Sequence, residues 1–280
     1  LYDAAVTFTH LGDAAHITLG QFKPHVSEEA LRSSSELDFI ERYQGAIYGI
    51  GNTTPVTPVT MEPNIGLGLD NEFRNIGVML SGHPVEILSY SLFMGNSGGE
   101  ANIGNKGRDN LFFSGRIEAS PIDGLRLGAA YANTEKSKKR GFDNKFRAQV
   151  WTLDASYDVG GLTIAGEFIG GNTDATTNQK FSGASATGEE VVWHAYYIMG
   201  AYWITDNIRG LVRFEEFDPD TAVTSADSYR YLHWYTFGLN YFFDPDDIQQ
   251  CKLQLEYQIR KETSPDLADN ILRLALQVSF

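Results

Sequence analysis

The amino-acid sequence predicts an all-β fold, a transmembrane antiparallel up-and-down β-barrel, and three observations carry that prediction. Thirteen segments alternate apolar and polar residues with a period of two, each bounded by Gly, Asn, Asp, Pro or Ser clusters. The connections between them alternate strictly between short and long, as the turns and loops at the two ends of an outer-membrane barrel do, whereas nothing in a soluble sandwich requires it. The final segment places Leu272, Leu274, Leu276, Val278 and Phe280 on one side and Arg273, Ala275, Gln277 and Ser279 on the other. One face suits hydrocarbon and the other suits water, and a closing strand ending in an aromatic girdle accounts for the terminal Phe280.

Composition narrows the alternatives. The chain has 280 residues, enough for one large β domain, and 1–280 is expected to form a single barrel domain. Mean hydropathy is −0.26 and no apolar run reaches the length of a membrane helix, which excludes a helical membrane protein. An aromatic share of 12%, 28 glycines and the lone Cys251 suit a barrel with tight turns, an aromatic belt and no disulfide framework. The formal net charge of −14 argues against nucleic acid as a partner.

Taken in order, the expected strands span 3–11, 15–23, 74–82, 85–95, 109–119, 125–135, 145–159, 162–170, 189–204, 206–217, 229–243, 251–260 and 270–280. Gly12 to Ala14, Gly82-His83-Pro84, Ser120 to Gly124, Gly160-Gly161, Thr205 and Asp244 to Gln250 make the short turns. If the last strand descends to the periplasm, the first begins on the extracellular side. A barrel with an even strand number is then expected to carry an odd number of further strands upstream. Facing follows from the alternation: Leu253, Leu255, Tyr257 and Ile259 point to lipid, and Lys252, Gln254, Glu256, Gln258 and Arg260 to the lumen. Trp193, Tyr197, Trp203, Tyr235, Tyr241 and Phe243 are expected on the lipid side, and the interior is expected to be hydrated.

Residues 20–42 contain Gly20-Gln21-Phe22-Lys23-Pro24, Ser27-Glu28-Glu29, Ser33-Ser34-Ser35 and Phe39-Ile40-Glu41-Arg42. With Arg74-Asn75-Ile76-Gly77-Val78 and the Leu-Arg-Leu-Ala-Leu-Gln-Val-Ser-Phe end, the chain resembles the phosphate-selective porin O and P family. That resemblance implies a homotrimeric outer-membrane porin of about sixteen strands, of which thirteen lie in this sequence. It also implies that the long segment after 15–23 is a third extracellular loop, folded inward to narrow the channel. The residues agree in part, because Ser27 followed by Glu28, Glu29, Ala30 and Leu31 reads as an N-cap with an acidic first turn. The stretch 50–60 resists any helix or strand assignment.

Candidate pore-lining charges are Arg116, Glu118, Arg126, Asp154, Glu167, Arg209, Arg213, Glu215, Lys252, Glu256 and Arg273. Candidates on the constriction loop are Lys23, Glu28, Glu29, Arg32, Glu41, Arg42 and Arg74. Fixed charges around a constriction select ions by sign. The two signs nearly balance, so carboxylates beside the arginines offset the field an anion would feel, which argues against phosphate selectivity. Six scattered histidines lack ligand spacing, so no metal site is expected and no cofactor either. The Asp-Pro pairs at 218–220 and 244–247 suit turns as well as calcium. No nucleophile elbow or phosphate loop supports an enzyme. The favoured expectation is a passive outer-membrane channel for small polar or anionic solutes. The alternative is a barrel whose lumen encloses a periplasmic or lipid-linked partner protein.

Overall fold

The computed structural model describes residues 3–10, 12–50, 67, 73–96, 111–136, 146–174, 190–219, 221, 231–262 and 269–279. Thirteen strands form one antiparallel sheet in sequence order: β1 (Ala4–Phe8), β2 (His16–Phe22), β3 (Asn75–Val85), β4 (Leu88–Asn96), β5 (Leu111–Ile122), β6 (Leu125–Lys136), β7 (Phe146–Val159), β8 (Leu162–Asp174), β9 (Glu190–Trp203), β10 (Ile208–Asp218), β11 (Leu232–Phe242), β12 (Cys251–Glu262) and β13 (Ile271–Val278). Each strand pairs with its neighbour in sequence, and among the described residues β1 and β13 remain the two edges of a sheet that does not close. Among the described residues helix is confined to short turns: α1 is the single turn Glu28–Leu31, followed by a 3-10 turn at Ser34–Glu36 and a π turn at Ala46–Ile50.

Turn chemistry fixes the short end of the sheet. Gly160 and Gly161 both take positive φ, +56° and +81°, the two-residue hairpin geometry that suits the strand twist. The Asp246 backbone N–H donates to Asp244 Oδ1 at 2.9 Å, an Asx turn that accounts for the 244–247 acids. Two expected turns lie elsewhere. Gly82, His83 and Pro84 sit inside β3, at an irregularity between Gly82 and Val85, and the turn is Glu86-Ile87. Pro121 lies in β5 beside the same kind of irregularity, between Ala119 and Ile122, with the turn at Asp123-Gly124. A proline cannot donate to the ladder, so a strand passes through it where the register is already broken.

The outward face is apolar along every strand. Leu272 and Leu274 are 70% exposed, and Ile117, Leu92, Ile198 and Val212 are likewise open. The alternation in β12 holds as read: Leu253, Leu255 and Tyr257 face out, whereas Lys252, Gln254, Glu256 and Gln258 are buried inward. Tyr235, Tyr241 and Phe243 are outward too. Trp193, Tyr197 and Trp203 correct the expectation, because they stand on the inward face of β9, with Trp193 and Tyr197 buried. Both faces of β9 are apolar, so polarity does not mark the inner one. The deciding factor is that segment 24–50 packs there, joining Val26, Phe39, Tyr43, Ala46 and Ile50 to Phe112, Val150, Ile169, Trp193 and Tyr197 in one core. Beneath that segment the inner wall is covered by packed side chains.

Glycines admit the large inward ring. A Cβ on Gly171 would stand 2.4 Å from the Trp193 ring, so the indole lies flat over bare backbone. On the outward side Trp151 covers Gly170 in the same manner, at 2.5 Å.

Candidate constriction site

An irregular segment inside a barrel must find a partner for each buried backbone N–H and C=O. Here the wall supplies them. Ser27 caps α1, its Oγ accepting from Ala30 N at 3.1 Å, and the same hydroxyl donates to Glu167 Oε2 of β8 at 3.1 Å. Glu28 N and Glu29 N also donate to the Glu167 carboxylate, at 3.0 and 3.3 Å. Oxygen acceptors facing the first-turn N–H groups satisfy donors that the start of a helix leaves without partners. At the other end Lys23 Nζ donates to the carbonyls of Ala30, Leu31 and Arg32 at 2.9, 3.3 and 2.9 Å. Arg42 closes the turn, donating to Glu29 O at 3.1 Å and Arg32 O at 2.6 Å.

Downstream the pattern repeats with other strands. Lys252 Nζ donates to Ser35 O at 3.0 Å and to Leu37 O. Asn240 Nδ2 and Gln254 Nε2 converge on Asp38 O at 2.7 and 3.1 Å, while Arg209 donates to the Asp38 carboxylate at 2.6 Å. Glu256 Oε1 accepts from Ile40 N, and Arg213 donates to Glu41 O at 3.1 Å. Arg213 also lies 3.0 Å from Glu215, 3.6 Å from Glu29 and 4.3 Å over the Phe39 ring. Arg273 stands 3.9 Å from the Glu41 carboxylate, which is half exposed. Thr152 of β7 completes the strap, donating to Val26 O at 2.7 Å.

A second group gathers at Glu28. Its carboxylate accepts from Arg126 at 2.5 Å, Arg116 at 3.3 Å and Arg32 at 3.5 Å. Arg116 is buried and forked onto Asp154 at 2.6 and 2.9 Å, with Glu118 at 3.1 Å. Gly128 makes room for that fork, since a Cβ there would fall 2.3 Å from Arg116 Nη2 and 2.4 Å from Asp154 Oδ1. His25 lies beside this group, and burial first, then the Arg116 charge, pull its imidazole below the usual value, with Glu28 opposing. Arg74 stands apart, forked onto Asp3 at 2.9 Å through both oxygens, and that bond holds the Asp3 carboxyl below its usual range.

The candidate charges therefore divide. Glu167, Arg209, Arg213, Lys252, Glu256 and Arg273 reach the segment, as do Arg116 and Arg126 through Glu28. Asp154, Glu118 and Glu215 meet the arginines of the wall. Asp38, Ser27, Asn240, Gln254 and Thr152 join the same set of contacts; the sequence reads Ser27 as an N-cap, Asp38 as a loop acid and Gln254 as inward, but none of the five stands among the candidate site residues. Two of them are neutral amides on inward strand positions, and an inward amide is the signal that could have been weighed.

No protein-family model matches the chain, and no curated protein matches it. Solved structures do. An anion-selective porin from Comamonas acidovorans aligns with a TM-score of 0.60 at 12% identity, over 95% of this chain and 74% of its own. OmpF of Salmonella typhi, in complex with daunomycin, aligns at 0.63 and 14% identity, over 94% and 74%. OmpT of Vibrio cholerae aligns at 0.53 and 9% identity, over 94% and 75%. At such identities the likeness is one of architecture, and the chain has the antiparallel up-and-down fold of porin barrels.

Proposed function

We propose that the chain is an outer-membrane porin, through which small hydrophilic solutes and ions diffuse passively past a constriction built by residues 24–50. The observation that carries this reading is the segment itself, folded onto the inward face of an apolar-outside sheet and tied there by side chains of β5 to β8 and β10 to β13. A pore narrowed by a fixed strap needs no catalytic group, and solute size and charge decide passage. Selectivity for phosphate has little support, because the inward arginines already hold carboxylates or backbone carbonyls. Pairing lowers the field that a passing anion feels. With a formal charge of −14, weak preference for cations is the expected behaviour. A lumen that encloses a partner protein has less support, since the chain's own segment occupies the inner wall such a partner would need. Assembly as a homotrimer belongs to the same proposal.

The test is swelling of proteoliposomes in neutral sugars of graded size. Graded entry, fast for small sugars and slow for large ones, supports a passive channel. Swelling no faster than in protein-free vesicles removes the porin reading.

A further inference from the structure

Glu28 differs from every other carboxylate of the strap in the number of guanidinium groups it gathers. Arg126, Arg116 and Arg32 approach it at 2.5, 3.3 and 3.5 Å, from two strands of the wall and from the segment itself. The three are not equal. Arg116 is 4% exposed and neutralised behind the site by Asp154, itself 3% exposed, through a bidentate pair. Arg126 and Arg32 stand in front, 34% and 21% exposed, where solvent and ions reach them. Among the described residues Glu28 is the carboxylate that Arg126 touches, and Arg32 has Glu28 at 3.5 Å against Asp38 at a marginal 4.0 Å. Glu28 is therefore the nearest carboxylate to both accessible cations, with Asp38 at 4.0 Å from Arg32 and Glu118 at 3.1 Å from Arg116 flanking the cluster.

We propose that Glu28 sets the sign of ion the constriction admits, by occupying with its own carboxylate a guanidinium cluster that would otherwise take a soluble anion such as chloride, phosphate or a small carboxylate. This deepens the porin reading and rests on it. The geometry is that of an anion site already filled: convergent N–H donors, a buried ion pair behind, and an exposed front. The occupant is tethered through the first turn of α1, whose Glu28 N–H is fixed by Glu167 at 3.0 Å. Tethering keeps the acid at the site whatever the anion concentration outside, so free anions compete poorly. Glu41 makes the contrast, being 53% exposed and 3.9 Å from a single arginine.

The experiment compares Glu28→Gln with Glu41→Gln in the full chain, by reversal potential in a planar bilayer across a KCl gradient. Both variants remove one negative charge from the same segment. The expected result is a small shift for Glu41→Gln and a severalfold fall in the potassium-to-chloride permeability ratio for Glu28→Gln, with block by added phosphate. Arg126→Gln in the Glu28→Gln background then restores part of the ratio. Glu28→Asp keeps the charge and is expected to keep the wild-type sign. Equal shifts for the two Gln variants overturn the inference while wild-type current leaves the porin reading standing. A Glu28→Asp shift as large as that of Glu28→Gln also overturns it, by making placement of the segment the cause. Absence of current from the wild type removes both.

Discussion

Glu167 serves α1 from across 139 residues of sequence, accepting the N–H of Glu28 where a local capping residue would ordinarily act. It is 2% exposed, so removing it strands two backbone donors and the Ser27 hydroxyl away from water. Glu167→Ala is expected to cost about 1–3 kcal/mol of stability, read as a lower unfolding midpoint in detergent micelles, while Glu118→Ala at the partly exposed rim changes it little. His25 adds a pH dependence whose sign is fixed. Its folded value lies below the ordinary 6.5, so as pH falls the unfolded segment takes up the proton first. The stability tied to the neutral imidazole is full above that ordinary value and is lost as pH drops through the folded one. Current fluctuations should increase between pH 7.5 and pH 5, and a His25→Asn channel should lose that dependence. At this scale the charges were legible in the sequence and their partners were not. A period of two says that Arg209 and Lys252 face inward; it says nothing of Asp38 and Leu37, which meet them from 171 and 215 residues away.

Each of the thirteen strands lies where alternation and punctuation placed it, with ends displaced by a few residues. Pro84 and Pro121 account for two of the displacements, because a proline at a break in register looks like a turn when only the sequence is read. Strand β9 was legible in extent and illegible in facing. Its inner row of Trp193, Tyr197 and Trp203 is as apolar as an outer row, and Trp193 and Tyr197 pack in one core with the strap. Tyr43 packs on Tyr197 with ring centroids 4.6 Å apart, and Gly171 opens the floor for Trp193. Gly171→Val should therefore be poorly tolerated. The added side chain enters the indole, and overpacking of this kind costs about 1–3 kcal/mol or more, measured as a lower yield of folded barrel and a lower unfolding midpoint. A valine at Gly160 cannot be the control, because the +56° φ there strains any side chain; Ala165→Ser, on the same inner wall, is the milder comparison.

Across the whole molecule one surface is apolar and exposed, and the other is divided between strap and wall. Leu255 lies on the outer face of β12, opposite Leu239 and Leu274, all exposed. Leu255→Arg should cost about 2–4 kcal/mol if this face spans the bilayer core, observed as loss of stability on refolding into lipid vesicles; a soluble sheet would accept arginine there at little cost. The fold class and the strand order were within reach of the sequence, because they rest on period and on loop length, whereas the inward course of the segment after 15–23 was implied only by the family resemblance. What the strap does to the inner charges was not, because burial of Arg213, Lys252 and Glu256 depends on where a distant segment comes to rest. The central claim is that these charges hold the strap and are largely cancelled, leaving the channel without attraction for phosphate. The direct measurement is the single-channel reversal potential of the wild-type chain in a KCl gradient, before and after phosphate is added. A weakly cation-directed potential with no phosphate block is the expected result. An anion-directed potential with block by phosphate would contradict it.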